Sequence, residues 1–300
     1  MLSNQLKGYL CGIVSSSTFG LIPLFAMPAL NAGIGLNSVM LYRFGISALC
    51  LGLYLLIRRQ NLRINLKEFI VLFFLGTFYA LTALFLTASY LYIPTGVATT
   101  IHFLYPMVVS AIMIFIFKEK ASSAVIFASL LALGGVFLLS GGLDGNINLK
   151  GIALVLSTVV TYALYIVGVN KSIVSSMDGL KMTFWVLFCA AIVFILNLLI
   201  RRESFDMVPD MNIGISLFLL AIIPTLVSDF TLILSVQKIG STTTAILGCM
   251  EPVTAVIVGT LVFHESMEFV HILGVGIILL AVTLVILKSD KTRNSELITD

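Results

Sequence analysis

The chain has 300 residues, 59% of them hydrophobic and 10% charged, with a mean hydropathy of +1.13. Ordinary soluble domains carry about 25% charged and roughly 45–50% apolar residues, so a single water-facing core cannot hide this much apolar surface. The net charge of +3 is small and dispersed, which argues against nucleic-acid binding, and no stretch outside the apolar runs is long enough for a separate soluble domain.

An all-α membrane protein is therefore expected. Apolar runs of about 20 residues recur along the chain, enough at 1.5 Å per residue to cross about 30 Å of hydrocarbon. In chain order they predict ten transmembrane helices, at about 8–30, 37–57, 67–90, 95–117, 122–140, 150–170, 180–200, 212–236, 242–263 and 269–287. Lys7 before an apolar stretch ending in SSSTFG has the outline of a signal peptide. The first run also matches a later span, described below, so it is expected to remain as a helix. Short connections make chain neighbours spatial neighbours. Cys11, Cys50, Cys189 and Cys249 lie in separate runs without metal-ligand spacing, and read as small apolar packing residues.

Orientation follows from the 17 lysines and arginines. On the side of the N-terminus fall Lys7, Arg58, Arg59, Arg63, Lys67, Lys118, Lys120, Lys171, Lys181, Lys238, Lys288, Lys291 and Arg293, against Lys150, Arg201 and Arg202 on the other, with Arg43 inside a span. The bias predicts a multi-pass protein of the plasma (inner) membrane with both termini cytoplasmic.

The chain also repeats. A shift of 143 carries Lys7-Gly8 onto Lys150-Gly151, Thr18-Phe19 onto Thr161-Tyr162 and Arg58-Arg59 onto Arg201-Arg202. A shift of 146 carries Pro106 onto Pro252, Phe117 onto Phe263 and Glu119 onto Glu265. The predicted domains are a first five-helix repeat at 1–143 and a second at 144–300. Because five is odd, the second half enters the membrane from the opposite side, giving two inverted five-helix repeats around one site.

FGLIPLF in the first span, LYRF in the second, FLYPMVVSAIMIFIFKEK ending the fourth and CMEPVTAVIVGTLVFHES ending the ninth resemble the EamA family of the drug/metabolite transporter superfamily. The resemblance runs from Lys7 to about Lys288, with Phe19-Gly20 where the family usually has Trp-Gly. It implies a gradient-driven carrier of small molecules, often an exporter of amino acids or related metabolites.

Site candidates come from polar residues within the apolar runs. Pro106 and Pro252 lack an N–H and would leave the carbonyls of His102 and Gly248 without their helical partners near mid-membrane. These matched prolines are candidate hinges, their alternative being kinks that only let helices pack. Glu251 costs roughly 2.5–3.5 kcal/mol at mid-membrane and is expected to face the interior, protonated, hydrogen-bonded or paired. Its helical face gathers Thr244, Gly248, Thr254, Ala255 and Gly259. There it would bind a cationic substrate group or a coupling proton; the alternative is a neutral packing glutamate. Arg43, at roughly 9 Å depth, either snorkels to the headgroups or faces the cavity and holds Glu251 or a substrate carboxylate. His102 shares a face with Thr95, Thr99 and Ser110 beside Tyr105, as hydrogen-bonded structure or as a site residue. Thr158, Thr161, Tyr162 and Tyr165 form a stripe that serves as helix glue or as pocket lining.

Three further groups read as periphery. Asp229, about seven residues from the cytoplasmic end of the eighth span, suits an interface or wet vestibule or, with Pro224 marking a bend, a gate; Tyr79 and Tyr90 read as structural. Glu119 and Glu265, before Ser122 and Ser266, suit helix N-termini.

No HExxH, GxSxG or phosphate-cradling GxxxxGK[ST] motif is present, and His264 and His271 near the outer surface lack a third ligand, which argues against an intramembrane enzyme and ATP-driven transport. Short loops and one charged tail, Lys288 to Asp300, leave little for a scaffold. A passive channel for small polar solutes remains the alternative to a carrier. The expected partners are a small-molecule substrate, a coupling proton or cation and the lipid bilayer, with no cofactor or metal; the sequence is silent on oligomeric state.

Overall fold

The helices start where the sequence supplies caps. Asn148, Asp178 and Asp210 accept the first free amides of their helices, as in Asp210 Oδ1 to Ile213 N at 2.9 Å, and Asn65 and Glu68 bond each other's amides at 2.8 Å. Two helices end alike: Arg59 and Arg202 take left-handed φ of 52° and 55°, and the amides that follow reach back to Leu55 O and Leu198 O. These two helix ends are related by the 143 offset.

This computed structural model describes residues 4–89, 91–93, 98, 101–119, 123–139, 148–262 and 269–296, with side chains for all of these except 124, 125, 139, 255, 259, 271 and 285–296. Its helices are α1 (Asn4–Phe19), α2 (Ile22–Asn31), α3 (Leu36–Ile57), α4 (Leu66–Ser89), α5 (Tyr105–Phe115), α6 (Ser123–Leu139), α7 (Leu149–Lys171), α8 (Gly179–Arg201), α9 (Met211–Ala221), α10 (Ser228–Ile239), α11 (Ser241–Leu247), α12 (Met250–Val262) and α13 (Phe269–Glu296). A π-helical segment, Ile222–Val227, joins α9 to α10, and no strand occurs among the described residues.

Among the described residues seven stretches are long and apolar enough to cross a membrane: Asn4–Asn31, Leu36–Ile57, Leu66–Ser89, Leu149–Lys171, Gly179–Arg201, Met211–Ile239 and Ser241–Val262. The fourth, fifth and tenth predicted spans are represented by shorter apolar helices, Tyr105–Phe115, Ile126–Leu138 and Ile272–Leu284. The last helix, α13, runs to Glu296, beyond the predicted end at 287 and through part of what read as a free charged tail. Leu49, Leu53, Leu56, Phe74, Leu199 and Ile200 are exposed on the outside of the bundle, the apolar rind that lipid requires.

The packing is paired. Its largest interfaces are α6 on α13, α1 on α10, α4 on α7 and α3 on α8. Exchanging the two halves of the chain turns α1–α10 into α7–α4 and leaves α3–α8 and α6–α13 in place. The correspondence reaches single residues: a Cβ on Gly8 would meet Lys238 and Ile239, and one on Gly151 would meet Tyr92 and Ile93, the same contact under the 143 and 146 offsets. Within each pair the helices run antiparallel. Asn37 of α3 accepts from Asn197 of α8 at 2.7 Å at one end, and Gly52 faces Phe184 at the other. Likewise Thr82 of α4 meets Thr161 of α7 at 2.7 Å, while Leu75 faces Gly168.

Candidate functional site

The centre of the bundle is assembled from interrupted helices. Pro224 has no N–H for the carbonyl of Leu220, so the helix widens into its π segment and Thr225 Oγ1 donates to Leu220 O at 2.8 Å. Ser47 of α3 donates to the neighbouring carbonyl of Ala221 at 2.7 Å. With its proton so committed, the Thr225 oxygen accepts from Arg43 Nε at 2.7 Å. The predicted bend at Pro224 is thus the device that aims a hydroxyl at Arg43.

Arg43 is 2% exposed, and its guanidinium lies over the rings of Phe44 (5.2 Å) and Phe19 (6.0 Å). The snorkelling alternative is therefore overturned, because α3 turns this side chain inward against α9 and the π segment. No direct pair with Glu251 forms: the ion pairs among the described residues are Lys171–Glu119 at 2.8 Å and Arg201–Glu203 at 3.8 Å. Both Asp229 and Glu251 nevertheless lie within electrostatic range of Arg43.

Asp229 corrects the sequence reading. Far from an interface or vestibule, it is 0% exposed; Tyr165 Oη donates to its Oδ1, and Oδ2 has no hydrogen-bond partner among the described residues. Residue count from a helix end misplaced it because α10 continues through the π segment into the middle of the bundle.

Tyr165 begins a run of rings. It stacks on Tyr79 at 5.0 Å between centroids and neighbours Tyr162 at 6.2 Å; Tyr162 in turn meets Tyr105 edge-on at 4.7 Å and His102 at 5.5 Å. Tyr79, which read as structural, sits at the centre of this cluster, edge-on to Phe44 and Phe19, with the Arg43 guanidinium beside its hydroxyl. The repeat relates it to the residue that holds Arg43, since a shift of 146 carries Tyr79 onto Thr225, but the role of Thr225 is itself visible only in the structure.

His102 Nδ1 lies 2.8 Å from Thr158 Oγ1, whose single proton is given to Val155 O at 2.6 Å. Nδ1 therefore donates in this contact. Tyr105 Oη donates to Ala245 O at 3.1 Å, and a Cβ on Gly248 would overlap that hydroxyl. Through this contact the interruption before α5 touches the one between α11 and α12.

Both matched prolines lie in the first turn of a new helix, α5 or α12, where a missing N–H costs nothing. The expected orphan at Gly248 is absent, since its carbonyl accepts from Glu251 N at 2.9 Å. Glu251 is partly exposed and within electrostatic range of Tyr79, Tyr105 and Tyr162 as well as Arg43.

Two candidates go elsewhere. Thr161 is bonded to Thr82, and Thr244 to Ser235 at 2.9 Å and Gly240 O at 2.8 Å, so both hydroxyls join helices or cap turns. Thr99 lies outside the described residues, as do Tyr90, Thr95, Ser122, His264, Glu265 and Ser266 and the side chains of Ala255, Gly259 and His271.

The outcome is a largely buried amphipathic patch holding one guanidinium, two carboxylates, one imidazole and four phenols among apolar side chains. Such a set of groups suits a small polar or zwitterionic molecule with an apolar body. Among the described residues no three His, Cys, Asp or Glu side chains converge for a metal ion.

Comparison with known proteins bears on the whole chain. The model of the EamA-like transporter family matches residues 6–141 and again 149–287. An uncharacterized transporter of Bacillus subtilis (strain 168), YetK, is 24% identical over 192 residues, covering 62% of this chain. The match spans 58% of that protein's length. A crystal structure known only as that of a protein superposes with a TM-score of 0.81 at 14% identity, covering 94% of this chain and 98% of the other, a likeness of fold.

Proposed function

The chain belongs to the EamA-like transporter family, and from that premise we propose that it is a secondary carrier of small metabolites such as amino acids or related compounds, working as an exporter by alternating access around a mid-membrane site. It crosses the plasma membrane ten times, in two inverted five-helix repeats with both termini in the cytoplasm. The observation that carries this reading is the antiparallel, exchange-related packing of α3 on α8 and of α1 and α4 on α10 and α7, which encloses Arg43 and Asp229 with the partly exposed Glu251 in electrostatic range. Two halves that enter from opposite sides and share one polar core are what rocking carriers require.

In this mechanism Glu251, partly exposed among buried tyrosines, receives the cationic group of the substrate, and Arg43, held flat by Phe44 and Thr225, receives its carboxylate. Tyr162, Tyr165, Tyr105 and His102 supply the apolar faces and hydrogen bonds around it. Pro106 and Pro252, at the starts of α5 and α12, are the pivots about which these helices tilt. Uptake and counterflow in proteoliposomes, screened over amino acids, amines, nucleosides and sugars, test the reading. Saturable flux with counterflow is expected; flux that never saturates would replace the carrier by a channel.

A further inference from the structure

The polar centre of the bundle contains two acids for one cation. Arg43 is within range of Asp229 and Glu251 yet bonds to neither, its Nε being turned to Thr225. With both acids ionised the group holds one uncompensated negative charge inside an apolar shell, where an unpaired charge is expensive. The acids differ in access. Glu251 is partly exposed, whereas Asp229 is 0% exposed, with Oδ1 taken by Tyr165 and Oδ2 without a hydrogen-bond partner among the described residues. An oxygen enclosed to this degree excludes an ammonium group or a hydrated ion, but it admits a proton.

We propose that Asp229 is a proton-binding site separate from the substrate carboxylate Glu251, with Oδ2 as the atom that takes the proton; this rests on the carrier reading above. Binding forms one O–H bond at Oδ2 and breaks one in hydronium, and it leaves the core with one cation and one anion. Tyr165 assigns the oxygen, because its hydroxyl already fills Oδ1. The groups that face Asp229 are Arg43 from α3, Tyr79 from α4 and Tyr162 and Tyr165 from α7, with Glu251 of α12 across the same tyrosines. From α1 comes the neutral Ser15, bonded to Ser228 at 2.9 Å; Lys238 of α10 lies at the far end of that interface, against Gly8, and Lys181 of α8 donates to Arg63 O.

The test is pH-difference infrared spectroscopy of the full chain in liposomes, with the proton as the only probe. Between about pH 4 and 9 the parent should give a carboxylic-acid carbonyl band that Asp229→Asn loses and Glu251→Gln keeps. Tyr165→Phe should keep the band at a shifted frequency, since its carboxyl group loses a hydrogen bond. A band retained in full by Asp229→Asn, or absent from the parent, overturns the proposal. Should Asp229→Asn fail to assemble, Tyr165→Phe decides alone, and an unshifted band overturns the proposal. None of these readouts uses a substrate, so a failure here leaves the carrier reading intact, and absent counterflow would sink the carrier reading without touching the infrared result.

Discussion

Arg43 owes its place to directional bonds that a lysine cannot copy. The flat guanidinium lies over Phe44 while Nε reaches Thr225, and an ammonium group keeps the charge but not this geometry. Arg43→Lys should therefore lower the rate of counterflow about tenfold, equivalent to about 1.4 kcal/mol, with thermal stability in detergent little changed. Gly248 is the opposite case, a residue defined by the space it leaves. Gly248→Ala puts a methyl group into the Tyr105 hydroxyl and should cost roughly 1–3 kcal/mol of stability. Adding Tyr105→Phe should recover part of that loss in the same thermal unfolding measurement; no recovery would mean that the crowding lies elsewhere. At this scale the sequence singled out Arg43, Glu251 and His102 by a polarity that is anomalous in an apolar run, and Tyr105, Tyr162 and Tyr165 only by their polar neighbours in the chain. It was misleading for Asp229 and Tyr79, because depth depends on how a helix is interrupted and tyrosine is unremarkable in a membrane span.

The elements of this protein are set by their ends and their breaks. At one end of the α3–α8 pair, Asp206 Oδ2 accepts from Gly35 N at 2.8 Å and Ser38 Oγ at 3.1 Å, and Tyr42 Oη donates to Asp206 O at 3.0 Å. At the other end, Lys181 Nζ donates to Arg63 O at 2.6 Å and Trp185 Nε1 to Leu62 O at 3.2 Å. Ser38 and Lys181, Tyr42 and Trp185, and Asp206 and Arg63 are partners under the 143 offset. Each end of this pair is thus fastened to the loop of the other half. Asp206→Ala removes two acceptor contacts from the start of α3 and should cost about 1–2 kcal/mol in thermal unfolding. Asp206→Asn, which retains a side-chain carbonyl, should cost less; equal losses would assign the effect to charge alone. Capping residues made the helix starts readable in advance. The π segment was readable only as a bend at Pro224, since the widening shows only where the Thr225 hydroxyl reaches the Leu220 carbonyl that the proline leaves free.

For the molecule as a whole the decisive feature is the relation between halves. An inverted arrangement puts Arg59 and Arg202, which end their helices with the same left-handed turn, on opposite sides of the membrane. In intact cells a membrane-impermeant thiol reagent should label Arg202→Cys and spare Arg59→Cys, each made in a background with the four native cysteines replaced by serine or alanine. Labelling of both from one side would rule out inversion. The same exchange symmetry explains why α1–α10 and α4–α7 are built alike, with Gly8 and Gly151 at equivalent crossings.

By itself the sequence determined that the chain is helical and membrane-embedded, that it is double, and that polar residues in the second, fourth, sixth and ninth runs are out of place in lipid. Those conclusions follow from local quantities, namely hydropathy, spacing and self-similarity, which do not depend on the fold. Tertiary structure decided which of those residues meet. It turned Arg43 inward to Thr225, enclosed Asp229 beside Tyr165 and spent Thr161 and Thr244 on helix contacts. The physical reason is that a helix fixes the spacing of its own residues, whereas its rotation and its interruptions are fixed by what packs against it.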